Sequence, residues 1–354
     1  MDFNRIFLKD ACPTSIGGQA IMEGIMMRGP EKTAIAVRLP DGRIHMKTQP
    51  TLTMGKWGKV PLVRGVITFI ASLIVGTKTI MYSADVLEKY APELYAQEEG
   101  KEGWLEKKIG KEKAWNATMA LSVVLALVLA IGVFMLLPTA IVGVLKKVTD
   151  SVILLNLVEG LVRIALFIGY IALIPKLEDI NTVFQYHGAE HKTIHCYENG
   201  LPLTPENAQT FYRLHPRCGT SFLMFVMIVA IIVHVFMGWP NVWMRIGLRL
   251  LALPLIAGLS YELLKWAGRS QNKIVEFLSL PGIYLQKLTT REPNDKQLEV
   301  AIASVKAVLP DEDAKAQGVE TILPKGVFFE GFCNLNGEPI DGEVTYYNKD
   351  GAEI

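Results

Sequence analysis

From Asn116 to Leu145 the chain runs without one charged side chain. A helix needs about 20 apolar residues to cross the hydrocarbon core of a bilayer, where backbone amides must bond to one another because no water reaches them. The stretch therefore predicts a membrane-spanning helix, and three more follow it. Ser151 to Ile174 holds Glu159 and Arg163, four apart on one helix face, where pairing lowers the cost of burying them. Gly219 to Gly238 is uncharged and contains His234. Trp243 to Leu264 carries Arg245, Arg249 and Glu262, charges that either snorkel or pack against other helices. Composition agrees: half the residues are hydrophobic and the mean hydropathy is +0.28, values of an integral membrane protein rather than a soluble enzyme.

Residues 60–83 hold a shorter uncharged run between Arg64 and Lys78 and read as interfacial or re-entrant. Residues 270–288, broken by Pro281-Gly282, read as an amphipathic segment on the membrane surface. Lysines and arginines gather before the first span, between the second and third, and after the fourth. The positive-inside rule makes that side the cytosol and places both termini there, in a multi-pass protein of the cell membrane. No apolar leader precedes the first span, so no cleaved signal peptide is expected. Four cysteines are too few for a disulfide framework.

The remaining segments are soluble in character. Residues 1–58 form a small Gly- and Met-rich module, in which alternating runs flank Pro40-Asp41-Gly42 and predict a β-hairpin at about 33–48. Residues 59–84 are the interfacial helix, 85–115 a charged linker, 116–290 the four-helix membrane domain, and 291–354 an acidic tail with 13 acidic and 6 basic side chains. The basic residues form no stripe interleaved with aromatics, so nucleic acid is not an expected partner. Membrane lipids are, and other membrane proteins fit as partners too. The fold class is mainly α, a polytopic helical membrane protein with about four transmembrane helices and a small N-terminal β-containing cytosolic module.

The candidate chemistry lies in the loop 176–219. Half of the chain's six histidines fall within HGAEHKTIH, residues 187–195. Asp179 or Asn181 can cap a helix there and Asn199-Gly200 can end it. His187, His191 and His195 would then form one stripe, each turned by about 40° from the last. Residues four apart can share one ion, whereas His187 and His195 are about 12 Å apart along the axis. His187 and His191 are favoured because Glu190 makes the order H-x-x-E-H, in which the glutamate is a general base. His215-Pro216-Arg217-Cys218-Gly219 has the shape of a zinc knuckle with histidine in the first ligand place. The expected set is His187, His191, His215 and Cys218, holding zinc or another divalent transition metal, with Glu190 catalytic. Four protein ligands would close the site as a structural one, and three would leave it open for chemistry. His195, Cys196 and Glu198 are read as helix surface, and His234 as packing. A transport path through Glu159, Arg163 and His234 has little room in four spans.

GGQAIMEGIMMRGP, residues 17–30, is neither a P-loop nor G-x-G-x-x-G, so phosphate binding is not supported there. Its methionines read as core, with Glu23 a further candidate for a metal or substrate contact. Together with FQYHGAEHKTIHCYE and HPRCGTSFL, this motif resembles the YqhQ-like family over roughly residues 15–290. That bacterial membrane family has no known function and is often labelled a predicted metal-dependent enzyme. The resemblance implies a metal-dependent enzyme, read here as a hydrolase in which Glu190 activates water at the metal. A non-catalytic scaffold or regulator with a structural zinc is the alternative. The substrate is not legible.

Overall fold

The computed structural model describes residues 6, 11–53, 55–95, 110–267 and 273–354. Two bodies make up the chain: a six-stranded antiparallel sheet with its helices, and a bundle of apolar helices. The sheet runs β1 (Gly17–Ile21), β2 (Gly24–Arg28), β3 (Lys32–Arg38), β4 (Ile44–Pro50), β5 (Val327–Cys333) and β6 (Pro339–Asn348) in that spatial order. It is a simple meander with the whole helical bundle inserted between β4 and β5. The hairpin expected at 33–48 forms as β3 and β4, with Arg38 opposite Ile44. The acidic segment beyond Arg291 is not a separate tail, because β5 pairs with β4 from Ile44↔Cys333 to Lys47↔Glu330.

Period-two alternation gives the sheet two apolar faces. Ile25, Met27, Ala34, Ala36, Ile44 and Met46 pack on α5 (Glu178–Glu198) and α10 (Asp295–Val308). Met26, Ile35 and Val37 face the other way, onto Val86 and Leu87 of α1 (Val63–Tyr90). Met26 and Met27 are thus core residues, as expected. The Met22-Glu23 turn between β1 and β2 puts Glu23 at φ 47, and its carboxylate accepts from Tyr186 at 3.4 Å. Glu23 serves the β1–β2 hairpin and its contact with α5.

The bundle holds α2 (Lys111–Ile131), a π-helical turn at Gly132–Leu136 and α3 (Leu137–Leu145) as one continuous rod. Next come α4 (Val152–Leu173), the short α6 (Pro205–Gln209), α7 (Thr220–Val235), α8 (Val242–Ala267) and α9 (Lys273–Thr289). Four helices are long and apolar enough to cross a membrane: Val63–Tyr90, Leu121–Leu145, Val152–Lys176 and Val242–Ala267. The number matches the expectation but the membership differs. Residues 63–83 of the expected interfacial piece belong to the 28-residue helix α1, which also takes in residues 85–90 of the expected linker. The expected span at Gly219–Gly238 forms a helix of only 16 residues, α7. Residues 96–109 of the linker and 270–272 of the surface segment lie outside the described residues.

α1 joins the two bodies. Gly65 lies so close to Gly258 that a methyl there would come within 2.9 Å of the Gly258 Cα, and Arg64 is ion-paired with Glu262 of α8. At the other end Tyr82 lies 3.2 Å from Nδ1 of His45 on β4, whose ring also meets Tyr90 and Phe332. His45 is 2 % exposed, and burial lowers its pKa to about 4. The unfolded chain takes up that proton near 6.5 and the folded chain only near 4, so the contribution is complete above 6.5 and declines as pH falls toward 4. Melting temperature measured across that window should fall with pH, and His45→Gln should flatten the slope; an unchanged slope in the variant would contradict the assignment.

Candidate metal centre

α5 begins without a side-chain cap: Leu177 is its N-cap, while Glu178 and Asp179 occupy the first turn, where their charge suits the helix dipole. Asn199 caps the other end and Gly200 follows at φ +70, as the sequence indicates. Most of the second half is buried, including Glu190, His191, Lys192, His195, Cys196 and Glu198. The expectation that His195, Cys196 and Glu198 form a helix surface is therefore corrected. The helix lies between the sheet and the loop 210–219, so both faces meet protein.

A buried imidazole must place its N–H on an acceptor. His187 Nδ1 is 2.8 Å from the Thr289 carbonyl, and His191 Nδ1 is 2.6 Å from the Arg213 carbonyl. Both rings therefore carry the proton on Nδ1, which leaves each Nε2 lone pair free. His187 Nε2 lies 3.2 Å from Cys218 Sγ, and His191 Nε2 is buried with no hydrogen-bond partner. Ligand atoms of His187, His191 and Cys218 all fall within 4.8 Å of one another. The sulfur is held at the start of α7, where it accepts from the Thr220 backbone N–H at 3.4 Å.

His215 does not join them. Its Nδ1 accepts the Arg217 N–H at 3.3 Å, and its Nε2, buried without a hydrogen-bond partner, faces Glu198 with Oε2 3.5 Å away. A second group forms instead from His195, Glu198 and His215, again within 4.8 Å. His195 donates from Nε2 to the Leu214 carbonyl at 3.0 Å, leaving Nδ1 buried without a partner. The four rings run in the order His187, His191, His215, His195, with centroids 4.5, 5.6 and 4.4 Å apart. Burial pushes His191, His195 and His215 below the usual histidine range, so all three are neutral.

The two carboxylates differ. Burial alone would raise Glu198, but bonds from His215, Thr14 and Arg217 hold its pKa at about 2. The Thr14 N–H and hydroxyl each reach Oε1 at 2.9 Å, and the Arg217 guanidinium grips both oxygens. Glu190 is also buried, and desolvation raises its pKa. Its Oε1 accepts the Gly18 N–H at 2.8 Å, and β1 can come this close because Gly18 has no side chain. Glu190 thus ties β1 to α5 and stands outside both three-residue groups among the described residues.

The sequence offered a signal for the second group: His195-Cys196-Tyr197-Glu198 is H-x-x-E, one turn on one face. Thr14 and the carbonyls of Arg213, Leu214 and Thr289 left no such signal.

Residues 60–311 match a family described as a protein of unknown function, DUF1385. A curated relative, the "Uncharacterized protein YqhQ" of Bacillus subtilis (strain 168), is 35% identical over 313 residues, covering 85% of this chain and 94% of the relative. The chain belongs to this family. No solved structure matches it. The matched region contains both groups of ligand-bearing side chains but not β1, whose Gly18 reaches Glu190.

Gly188 sets the position of His187. A methyl there would overlap the Arg291 carbonyl oxygen, in a segment strapped to α5 by the Arg291 N–H on the Phe184 carbonyl at 2.8 Å. Gly188→Ala should destabilise the protein by about 1–3 kcal/mol, the usual cost of overpacking. It should also loosen the Thr289 carbonyl from His187. Thermal melts of the purified variant check this, and a wild-type melting temperature would contradict it.

Proposed function

We propose that the chain is a metal-dependent membrane enzyme, a hydrolase, whose zinc or similar divalent ion is held by His187, His191 and Cys218. One observation carries the reading: two backbone carbonyls orient two imidazoles so that both free lone pairs lie near one cysteine sulfur. Metal-binding histidines are ordinarily fixed by a carbonyl that accepts the N–H of the ring nitrogen facing away from the ion, and a mixed nitrogen and sulfur set suits zinc. With His215 turned to Glu198, three protein ligands remain, and three-ligand sites keep a position open for water or substrate. A bound ion there would supply Lewis acidity and lower the pKa of water. His215, held by its backbone bonds to Gln286, positions the loop that carries Cys218.

Glu190 is the proposed general base. Among the described residues only its Oε1 is hydrogen-bonded, so Oε2 keeps proton-accepting capacity one turn from His187. Its anchorage to Gly18 favours the rival reading, in which the ion is structural and Glu190 only joins β1 to α5.

Connectivity supports the membrane placement. Strands before α1, helices α5 and α10, and strands after α9 share one core, so they lie on one side of any bilayer. An even number of crossings must then separate β4 from α5, and again α5 from α10. The rod α2–α3 with α4, then the 16-residue α7 with α8, meet this condition, whereas α1, although long enough to cross, ends packed on the sheet through Val86 and Leu87 and runs along the surface with α9. The module side carries Lys111, Lys113, Lys176, Arg213, Arg217 and Lys265 near the span ends against Lys146 and Lys147 on the other side, which supports a cytoplasmic module. Cysteine introduced at exposed Val148 in a Cys12→Ser background should react with an impermeant reagent from outside cells, and at Asp350 only after lysis. The reverse pattern would overturn the orientation.

Alanine at His187, His191 or Cys218 should each remove most of the bound zinc, whereas His215→Ala should keep it. Glu190→Gln should keep zinc and stability yet lose roughly 100-fold or more of activity, read as failure to complement a deletion strain. Full complementation by Glu190→Gln at native expression would assign the ion a structural role.

A further inference from the structure

A layer of charge lies inside the bundle at the helix ends away from the sheet. Glu159 of α4 binds both nitrogens of Arg249 on α8, with Nη2 to Oε2 at 2.8 Å. It also accepts from Thr139 at 2.9 Å and from Arg163, one turn along, at 3.2 Å. The expected Glu159–Arg163 pair is thus present, but Arg249 is its principal member. Asn156 accepts from Arg249 at 3.2 Å. Arg163 donates to the Phe134 carbonyl at 2.8 Å and lies 3.4 Å from His234 Nδ1.

Arg245 is left over. It is 6 % exposed, stacks 4.0 Å over the Trp239 ring, and its Nε and Nη1 are buried without a hydrogen-bond partner. Three guanidinium groups share one carboxylate, so two positive charges lack an anion among the described residues of this layer. Asp150, the nearest other acid along α4, is exposed in the loop. The orphan atoms share one chemistry. Arg163 donates to His234 Nδ1, which places the His234 proton on Nε2, itself buried and unpartnered. Every unmet group in the layer is an N–H donor. A buried cation without a partner is costly in a bilayer, and an arginine fork matches the oxygens of an oxyanion. Arg245 lies in the first turn of α8, about 5 Å along the axis from its start, so an anion can reach it from the face opposite the sheet.

We infer that Arg245, flanked by Trp239 and backed by the surplus positive charge of Arg163 and Arg249, binds one phosphate-class oxyanion. It is supplied by a lipid headgroup or by free phosphate on the side of the bundle away from the module. The inference rests on the membrane bundle and is independent of the metal reading. The test uses the full chain delipidated in maltoside detergent and phosphate-free buffer, titrated with inorganic phosphate or with phosphatidylglycerol. At least one anion should raise the melting temperature. A response to phosphatidylglycerol alone identifies the headgroup as the source, and a response to phosphate alone identifies the free ion. Arg245→Gln should weaken the response at least tenfold. Arg245→Lys, which keeps the charge and loses the fork, should fall between. Should Arg245→Gln not fold, native mass spectrometry of the wild-type protein decides, with one anion retained per chain expected. No response and no retained anion in wild type, as when water alone meets the donors, would overturn the site. An undiminished response in folded Arg245→Gln would overturn it too.

Discussion

Burying a row of imidazoles is possible only if every ring N–H finds an acceptor, and that requirement organises the protein around α5. Three acceptors are backbone carbonyls from distant parts of the chain: Thr289 at the end of α9, and Arg213 and Leu214 in the loop before α7. Those carbonyls are free because the segments that carry them are loops and helix ends, outside the ladders of helix and sheet. The same bonds choose the tautomers, and the tautomers decide which lone pairs remain. Nothing in the arrangement needs a charged histidine, which burial here would disfavour.

The second constraint is connectivity. A meander interrupted between β4 and β5 by the whole bundle forces both ends of the bundle onto the face of one small sheet. α1 transmits that constraint, pinned to α8 by Arg64 and Glu262 and to the sheet by the aromatic group around His45. The site and the bilayer are consequently held in a fixed relation, since Cys218 lies two residues before α7 and Thr289 ends α9. A shift of either helix in the membrane would move a side chain or a carbonyl that the histidines use.

What was legible in the sequence follows the range of the interactions. Uncharged runs report burial in lipid, so the helices at 116–145 and 151–174 were readable from their own residues. The hairpin around Pro40-Asp41-Gly42 and the turn His215–Cys218 are likewise local. That His187, His191 and Cys218 come together was legible because helix periodicity and a ligand-bearing turn are both short-range signals. His215 falls beside His195 and Glu198 rather than beside Cys218, and the loop path that sets this leaves no signal in the spacing of His215 and Cys218. The pairing of β5 with β4 spans almost the full chain, and no local pattern in the acidic segment announces it. α1 was cut short because its charges at Lys78, Asp85, Glu88 and Lys89 mark where the helix leaves the membrane surface for the sheet, and not where it ends.

X-ray absorption at the zinc edge of the purified, zinc-loaded protein tests the ligand set most directly. The account predicts two imidazole nitrogens at about 2.0–2.1 Å, one sulfur at about 2.3 Å, and one further light atom that is not imidazole. Cys218→Ser should remove the sulfur shell. Three imidazoles with one sulfur would return His215 to the ligand set, or bring His195 into it, and contradict the open site, and an absence of sulfur would contradict the centre altogether.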